Sequence, residues 1–197
     1  MLAQSGLAKT VFLGFTKKYA ECAISVLGRL RRKVDFALAM ACLFAGCTTE
    51  FAIEKCRILK LSRSLSKQIK FLLSNRGKLL NDKMSLAELK MILSEPYFWD
   101  LYELQRAIQK ARPDGKAGIA AMKRLRKRIK DLGDVELRPK PLLNGHNLIR
   151  LGAAPGPVLG QLAEEMYIAQ LEGQLKTPAH ARLWVQNWLQ KHRVTEK

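Results

Sequence analysis

Midway along the chain stands Ser85-Leu86-Ala87-Glu88-Leu89-Lys90-Met91-Ile92-Leu93-Ser94-Glu95-Pro96, a segment that carries both ends of one helix. The Ser85 hydroxyl is placed to accept the amide of Glu88, and the Glu88 carboxylate can reach back to the Ser85 amide, which is the capping box that begins many α-helices. Apolar residues then recur three or four positions apart on one face: Leu86, Leu89, Ile92 and Leu93. Pro96 ends the pattern, so the segment predicts a short amphipathic helix.

The same helical periodicity extends in both directions. It predicts helices at about 16–30, 34–45, 48–59, 63–74, 85–94, 97–111, 116–131, 157–172 and 178–192. Thr177 followed by Pro178 is a favourable N-cap with proline at the first helical position. Because no segment alternates with period two, we expect an all-α fold, a multi-helix body with a small helical C-terminal tail domain.

Positive charge is concentrated in the first two thirds of the chain. The 197 residues carry a formal charge of +18, and 29 of the 35 basic residues lie within residues 1–140. The composition changes near Pro139 and Pro141, where two prolines exclude a helix interior. We therefore divide the chain into a basic body, 1–136, and a tail, 141–197; a charge this large indicates that the body binds a polyanionic partner.

Several other classes of protein are disfavoured by the composition. The longest apolar run, Phe36–Cys47, is too short to span a bilayer, and no secretory signal is evident, so we expect a cytoplasmic protein without a membrane partner. The four cysteines match no zinc spacing and suit a reduced core. The three histidines are scattered, and neither a G-x-S-x-G motif nor a D-x-D pair occurs. We therefore expect no catalytic or metal residues and no cofactor in this chain.

The strongest candidate site is the predicted helix 116–131. Seven positive and no negative side chains occupy residues 116–130, and they are Lys116, Lys123, Arg124, Arg126, Lys127, Arg128 and Lys130. Like charges close together on a helix repel one another, so the run is unfavourable unless an anion neutralises it. Phosphate binding by Lys116, Lys123, Arg124, Lys127, Arg128 and Lys130 is the interpretation we favour over a merely solvated face.

A second basic cluster contains Arg31 and Arg32 at a helix junction, and a third lies within residues 57–70. Both nucleic-acid contact and simple compensation of helix dipoles remain open for these clusters. Four aromatic residues interrupt the basic region: Tyr97, Phe98, Trp99 and Tyr102. They could stack on bases, but their spacing also suits a buried helix face, and we favour core packing.

The C-terminal region carries a longer pattern. Residues 141–160 are PLLNGHNLIRLGAAPGPVLG, and residues 169–173 are AQLEG. This resembles the C-terminal region of the bacterial CCA-adding enzyme and poly(A) polymerase family, in which PLL-x-G, LG-x-x-PGP-x-x-G and AQLEG occur in this order and spacing. A weaker similarity to the family's body extends upstream, so the resemblance covers roughly residues 20–195. It implies an all-helical RNA-holding region whose partner is RNA, tRNA in particular.

The chain departs from that family where catalysis is concerned. The family's catalytic head has a glycine-rich loop, a D-x-D metal pair and an Arg-Arg-Asp motif, and none of these occurs here. Asn147 also stands where family members commonly have aspartate. A full-length member would use Mg²⁺ with CTP and ATP, which implies that any such chemistry needs a separate catalytic head domain.

Three functions follow. The first is a non-catalytic RNA-binding module, and the second is part of an active tRNA nucleotidyltransferase or poly(A) polymerase, so whether the chain belongs to an enzyme stays open. The third, supported by charge alone, is a DNA-binding or ribosome-associated protein. Within the tail, Gly156 is expected to cap the helix that Pro157 opens and Gly160 to allow close approach, so both are candidate phosphate contacts. Tight helix packing around these glycines is the alternative.

Overall fold

The computed structural model describes residues 12–31 and 33–193, which form ten α-helices and one 3₁₀ turn without a β-strand. The predicted all-α fold is therefore confirmed. The helices are α1 Lys17–Leu27, α2 Phe36–Leu43, α3 Thr49–Ile58, α4 Arg63–Ser74, α5 Leu86–Leu93, α6 Phe98–Ala111, α7 Lys116–Leu132, α8 Gly145–Arg150, α9 Pro157–Leu171 and α10 Pro178–Arg193, with the 3₁₀ turn at Lys78–Leu80.

Helix starts follow the capping residues of the sequence. Side-chain oxygens accept the amide three residues later at Thr16, Asp35, Thr48, Ser62, Ser85, Asn144 and Thr177. The predicted capping box is complete, because Ser85 accepts the Glu88 amide at 3.1 Å and Glu88 accepts the Ser85 amide at 2.8 Å. These local bonds satisfy amides that the helix itself leaves without partners.

The first compact unit contains the described residues up to Lys83 and Pro96–Gly133. Helices α2 and α6 are central in it, since α2 packs against α1, α4 and α6, and α6 also packs against α1, α4 and α7. Large side chains at the centre are fully buried: Phe44, Ile69, Leu72, Phe98, Leu101, Leu104 and Leu125. Cys42, Cys47 and Cys56 are buried here with free thiols, and burial raises the pKa of Cys42 to about 12.

The second unit contains Met84–Glu95 and the described residues from Asp134 onward, with α9 packed against α5, α8 and α10. This differs from the division predicted from composition, which leaves α5 in the body. Two hydrogen bonds explain the difference: Lys90 Nζ donates to the Leu171 carbonyl at 2.7 Å, and the Ala87 amide donates to Glu172 at 2.8 Å. Helix α5 is thereby fastened to the C-terminal end of α9.

Candidate nucleic-acid interface

Helix α7 is set against α6 by two glycines and a buried apolar face. A Cβ at Gly115 would meet the Gln109 carbonyl oxygen at 1.7 Å, and one at Gly118 would meet the Gln109 side chain at 2.1 Å. At position 115 the obstacle is backbone, so only glycine permits this approach; at position 118 any side chain would displace that of Gln109. Met122 and Leu125 then bury the inner face of α7, so the opposite face of the helix is fixed toward solvent.

Four of the predicted site residues lie along that outer face: Lys116, Lys123, Lys127 and Lys130. At 100° per residue they occupy a sector of about 60°, and they extend over about 21 Å of helix. All four side chains are exposed, and none has an acidic partner within 4.0 Å in the part of the chain that the structure describes. We call these four residues the lysine row.

The two predicted arginine contacts on α7 have a different role. Arg124 Nε donates to Asp82 Oδ2 at 2.5 Å, and Arg128 Nη1 donates to the Asp82 carbonyl at 2.6 Å. The hydrogen bond from Arg124 holds the pKa of the Asp82 carboxyl below its usual value. These bonds hold the segment after the 3₁₀ turn against α7, and the carboxylate offsets the charge of Arg124.

Arg31, the predicted contact at the helix junction, is held to α6. Its amide donates to Glu103 at 3.1 Å, and its guanidinium lies 3.5 Å from the same carboxylate. Arg106 also pairs with Glu103 and donates to the Arg29 carbonyl at 2.7 Å. Burial alone raises the pKa of Glu103, but hydrogen bonds from Arg106 and the Arg31 amide, with the two positive charges, outweigh burial and lower it. Arg32 lies outside the described residues.

The aromatic cluster is divided between core and surface. Phe98 is buried as favoured, whereas Trp99 is 59% exposed, so the preference for core packing is wrong at this residue. Periodicity contained the signal, because Trp99 lies about 160° around the helix from Leu101, the centre of the buried stripe of Phe98, Leu101 and Leu104. Trp99 contacts Phe98 and Tyr102 edge-on, with ring centroids 5.1 and 5.9 Å apart.

Trp99 opens into a cleft of about 460 Å³ within the first unit. The cleft is lined by Arg31, Lys33, Val34, Asp35, Leu38, Trp99, Asp100, Tyr102, Glu103 and Arg126. Gln68 Nε2 bridges the carboxylates of Asp35 and Asp100 at 2.9 and 3.0 Å. Burial and the nearby Asp35 charge raise the pKa of Asp100, against the opposing effect of the Gln68 hydrogen bond.

The two predicted glycine contacts in the second unit lie at the start of α9 and are exposed. A Cβ at Gly156 or at Gly160 would meet nothing within 4 Å, which contradicts tight helix packing around them. Gly156 has φ 130° and ψ −162°, a conformation essentially restricted to glycine. The amides of Leu159 and Gly160 both donate to the Gly156 carbonyl, at 3.1 and 3.4 Å. Those two amides are therefore already engaged, which weakens this turn as a phosphate contact.

Across residues 12–31 and 33–193, no group of three or more His, Cys, Asp or Glu side chains could hold a metal ion. The described helices also include none with the length and apolar character required to cross a bilayer. Comparison of the chain with protein-family models, with curated proteins and with solved structures gives no match. The resemblance described from the sequence therefore stays a prediction.

Proposed function

We propose that this chain is an RNA-binding helical module whose lysine row contacts successive phosphates of a folded RNA, with tRNA as the expected class. The observation that carries the proposal is the lysine row: four exposed cations in one narrow sector of α7 without an acidic partner among the described residues. The order of the PLL-x-G, LG-x-x-PGP-x-x-G and AQLEG segments supports tRNA within that class. Nucleotide addition is assigned to a separate catalytic head domain and not to this chain alone.

Electrostatics gives the row its affinity. Lys123, Lys127 and Lys130 are three or four residues apart, so their ammonium groups repel one another in the free protein. A phosphate backbone along the row relieves that repulsion and releases condensed counterions from the nucleic acid. The Arg124–Asp82 ion pair beside the row fixes the helix without adding a free cation.

Two variants with equal charge loss test the proposal. The first replaces Lys123, Lys127 and Lys130 by glutamine; the matched control replaces the exposed Lys110, Lys140 and Lys176. At 0.15 M salt, loss of three phosphate contacts is expected to weaken tRNA binding by on the order of 100-fold. The control should change affinity by only a few-fold, because it alters net charge without touching the row. Fluorescence anisotropy with labelled tRNA measures both.

Equal weakening by the two variants would show that overall charge, and not the row, determines binding. A duplex DNA of the same length provides the comparison that separates RNA from DNA as partner. DNA binding as tight as tRNA binding, with the same loss in the lysine variant, would favour the DNA-binding alternative and contradict the proposal.

A further inference from the structure

The cleft beside Trp99 combines three kinds of chemistry in one place. Trp99 is the most exposed of the three tryptophans, since Trp188 is 6% exposed and Trp184 is partly buried in the core of the second unit. Phe98 and Tyr102 brace its indole edge-on. An exposed aromatic ring held by its neighbours offers a face for stacking and loses little conformational freedom when a ligand binds.

Charged groups of both signs line the same cleft. Arg31, Lys33 and Arg126 are the cations, and Asp35, Asp100 and Glu103 are the carboxylates. Glu103 is occupied by Arg106 and Arg31. Asp35 Oδ1 accepts the Leu38 amide as the cap of α2, and the second oxygen of Asp35 shares the Gln68 amide with Asp100. The acceptor capacity that Asp35 and Asp100 retain suits an occupant with hydrogen-bond donors, and the cations suit one with negative charge.

A nucleotide with an amino-bearing base satisfies all three requirements. Its ring stacks on an aromatic side chain, its exocyclic amino group donates to carboxylates, and its phosphate pairs with arginine or lysine. A peptide with acidic and apolar side chains offers the negative charge but repels the Asp35–Asp100 pair. The cleft chemistry thus favours a nucleotide over a peptide.

Helix α7 connects this cleft to the lysine row. Arg126 lines the cleft and is three residues from Lys123 and four from Lys130, so the three side chains are neighbours on the helix surface. A strand that follows the row can pass from Lys123 or Lys130 to Arg126 without leaving α7. The two surfaces are therefore continuous within the first unit.

We propose that this cleft takes one unpaired, amino-bearing nucleotide of the bound RNA, with the base on Trp99 and a phosphate on Arg126. The assignment rests on the proposed function, and it adds recognition of an unpaired base to a row that contacts only phosphates. It predicts that the protein distinguishes an RNA with a single-stranded end from a blunt RNA of the same duplex length.

The test uses the full chain and three RNA probes: a blunt duplex, the same duplex with a 3′ overhang of adenosines, and one with a 3′ overhang of uridines. The adenosine overhang is expected to bind about tenfold more tightly than the blunt duplex, as one stacked base contributes, and to quench tryptophan fluorescence. Uridine lacks an exocyclic amino group, so the uridine overhang is expected to raise the affinity over that of the blunt duplex by less than the adenosine overhang does. Equal affinity for the two overhangs would overturn the role given to Asp35 and Asp100.

Variants separate stacking from folding. Trp99→Leu should bind the blunt duplex with wild-type affinity. It should bind the duplex with the adenosine overhang no more tightly than the blunt duplex. Trp99→Phe should retain part of the preference and abolish the quenching, because the indole that stacks on the base is gone. The control Ile24→Ala removes a side chain of similar exposure on α1 and should change neither affinity. An undiminished preference for the overhang in Trp99→Leu would overturn the proposal.

The outcomes also separate this inference from the proposed function. If only the inference is wrong, the blunt duplex still binds through the lysine row and the overhang adds nothing. If the proposed function is wrong, the glutamine variant of the row leaves blunt-duplex binding unchanged. Free AMP offers the same base and phosphate as a nucleotide of RNA, so it tests whether the cleft binds a free nucleotide. Displacement of the overhang by micromolar AMP would assign the cleft to a free nucleotide and overturn the assignment to RNA.

Discussion

The salt dependence of binding to a blunt RNA duplex provides the sharpest test of how charge is divided on α7. The lysine row contributes four cations without acidic partners among the described residues, whereas Arg124 is paired with Asp82. Each phosphate that a cation neutralises contributes about −0.9 to the slope of log K against log salt. We therefore expect a slope of about −3.6 for the wild type and about −0.9 after Lys123, Lys127 and Lys130 become glutamine.

These slopes correspond to large differences in a simple titration. Between about 50 and 200 mM salt, the wild type should lose affinity about 150-fold and the glutamine variant only about threefold to fourfold. Fluorescence anisotropy at several salt concentrations within this range gives both slopes from one labelled duplex. Circular dichroism of the same samples checks that the helix content is unchanged, since glutamine is a good helix former.

Arg124→Gln provides the matched comparison for the lysine variant. It removes one positive charge from the same helix, as a single lysine replacement does, but breaks the pair with Asp82, so we expect a lower melting temperature and nearly the wild-type slope. A glutamine variant of the row whose slope equals that of the wild type would refute the assignment of phosphate contacts to these lysines. If Arg124→Gln flattened the slope as much as one lysine replacement does, the assignment of phosphate contacts to the lysines and of a structural role to Arg124 would be refuted.

Four further expectations concern stability and are measured by thermal unfolding. Lys90→Met leaves the Leu171 carbonyl without its donor and should cost about 1–3 kcal/mol. Gly156→Ala forces a side chain onto φ 130° and should cost about 1–3 kcal/mol, whereas Gly160→Ala places a methyl in open space within a helix and should gain about 0.5–1 kcal/mol. The pKa of Asp100 is raised in the folded protein, so ionised Asp100 lowers the free energy of unfolding at pH values above that pKa. This cost disappears as the pH falls below the pKa of Asp100 in the unfolded chain. Asp100→Asn should therefore be more stable than the wild type at neutral pH, and the difference should shrink toward about pH 4.

Each of these expectations has a specific contrary result. A stabilised Lys90→Met would mean that desolvation of the ammonium group outweighs its hydrogen bond, with Lys176→Met as the exposed control. Gly160→Ala should also leave RNA affinity intact if the turn is not a contact, so a selective loss of affinity would restore the glycine as one. A difference between Asp100→Asn and the wild type that does not change with pH would exclude titration of this carboxyl as its cause.

Local chemistry made the helices predictable. Ser85 with Glu88, and Thr177 before Pro178, are signals contained within four residues, and both helices begin where these signals place them. The outward position of the lysine row likewise follows from the period of 3.6 residues once Met122 and Leu125 are taken as buried. Such features depend on neighbours in sequence, and the fold leaves them unchanged.

Tertiary contacts were beyond the reach of the sequence pattern. The Arg124–Asp82 pair joins residues 42 positions apart, so nothing in the basic run distinguishes Arg124 from Lys123. The placement of α5 in the second unit depends on Lys90, a cation that the charge pattern alone would leave in solvent. The positive φ of Gly156 could not be predicted from the P-G-P sequence either, because that sequence is compatible with either sign of the angle.

The division of labour on α7 has an evolutionary consequence. Positions 82 and 124 make one ion pair, so in related sequences they should change together, losing the acid and the guanidinium in the same lineages. Positions 123, 127 and 130 need only positive charge at the surface, and they should exchange freely between lysine and arginine. Two patterns of substitution are therefore expected on one basic helix. At one position the residue changes together with its ion-pair partner, and at the others only the positive charge is kept.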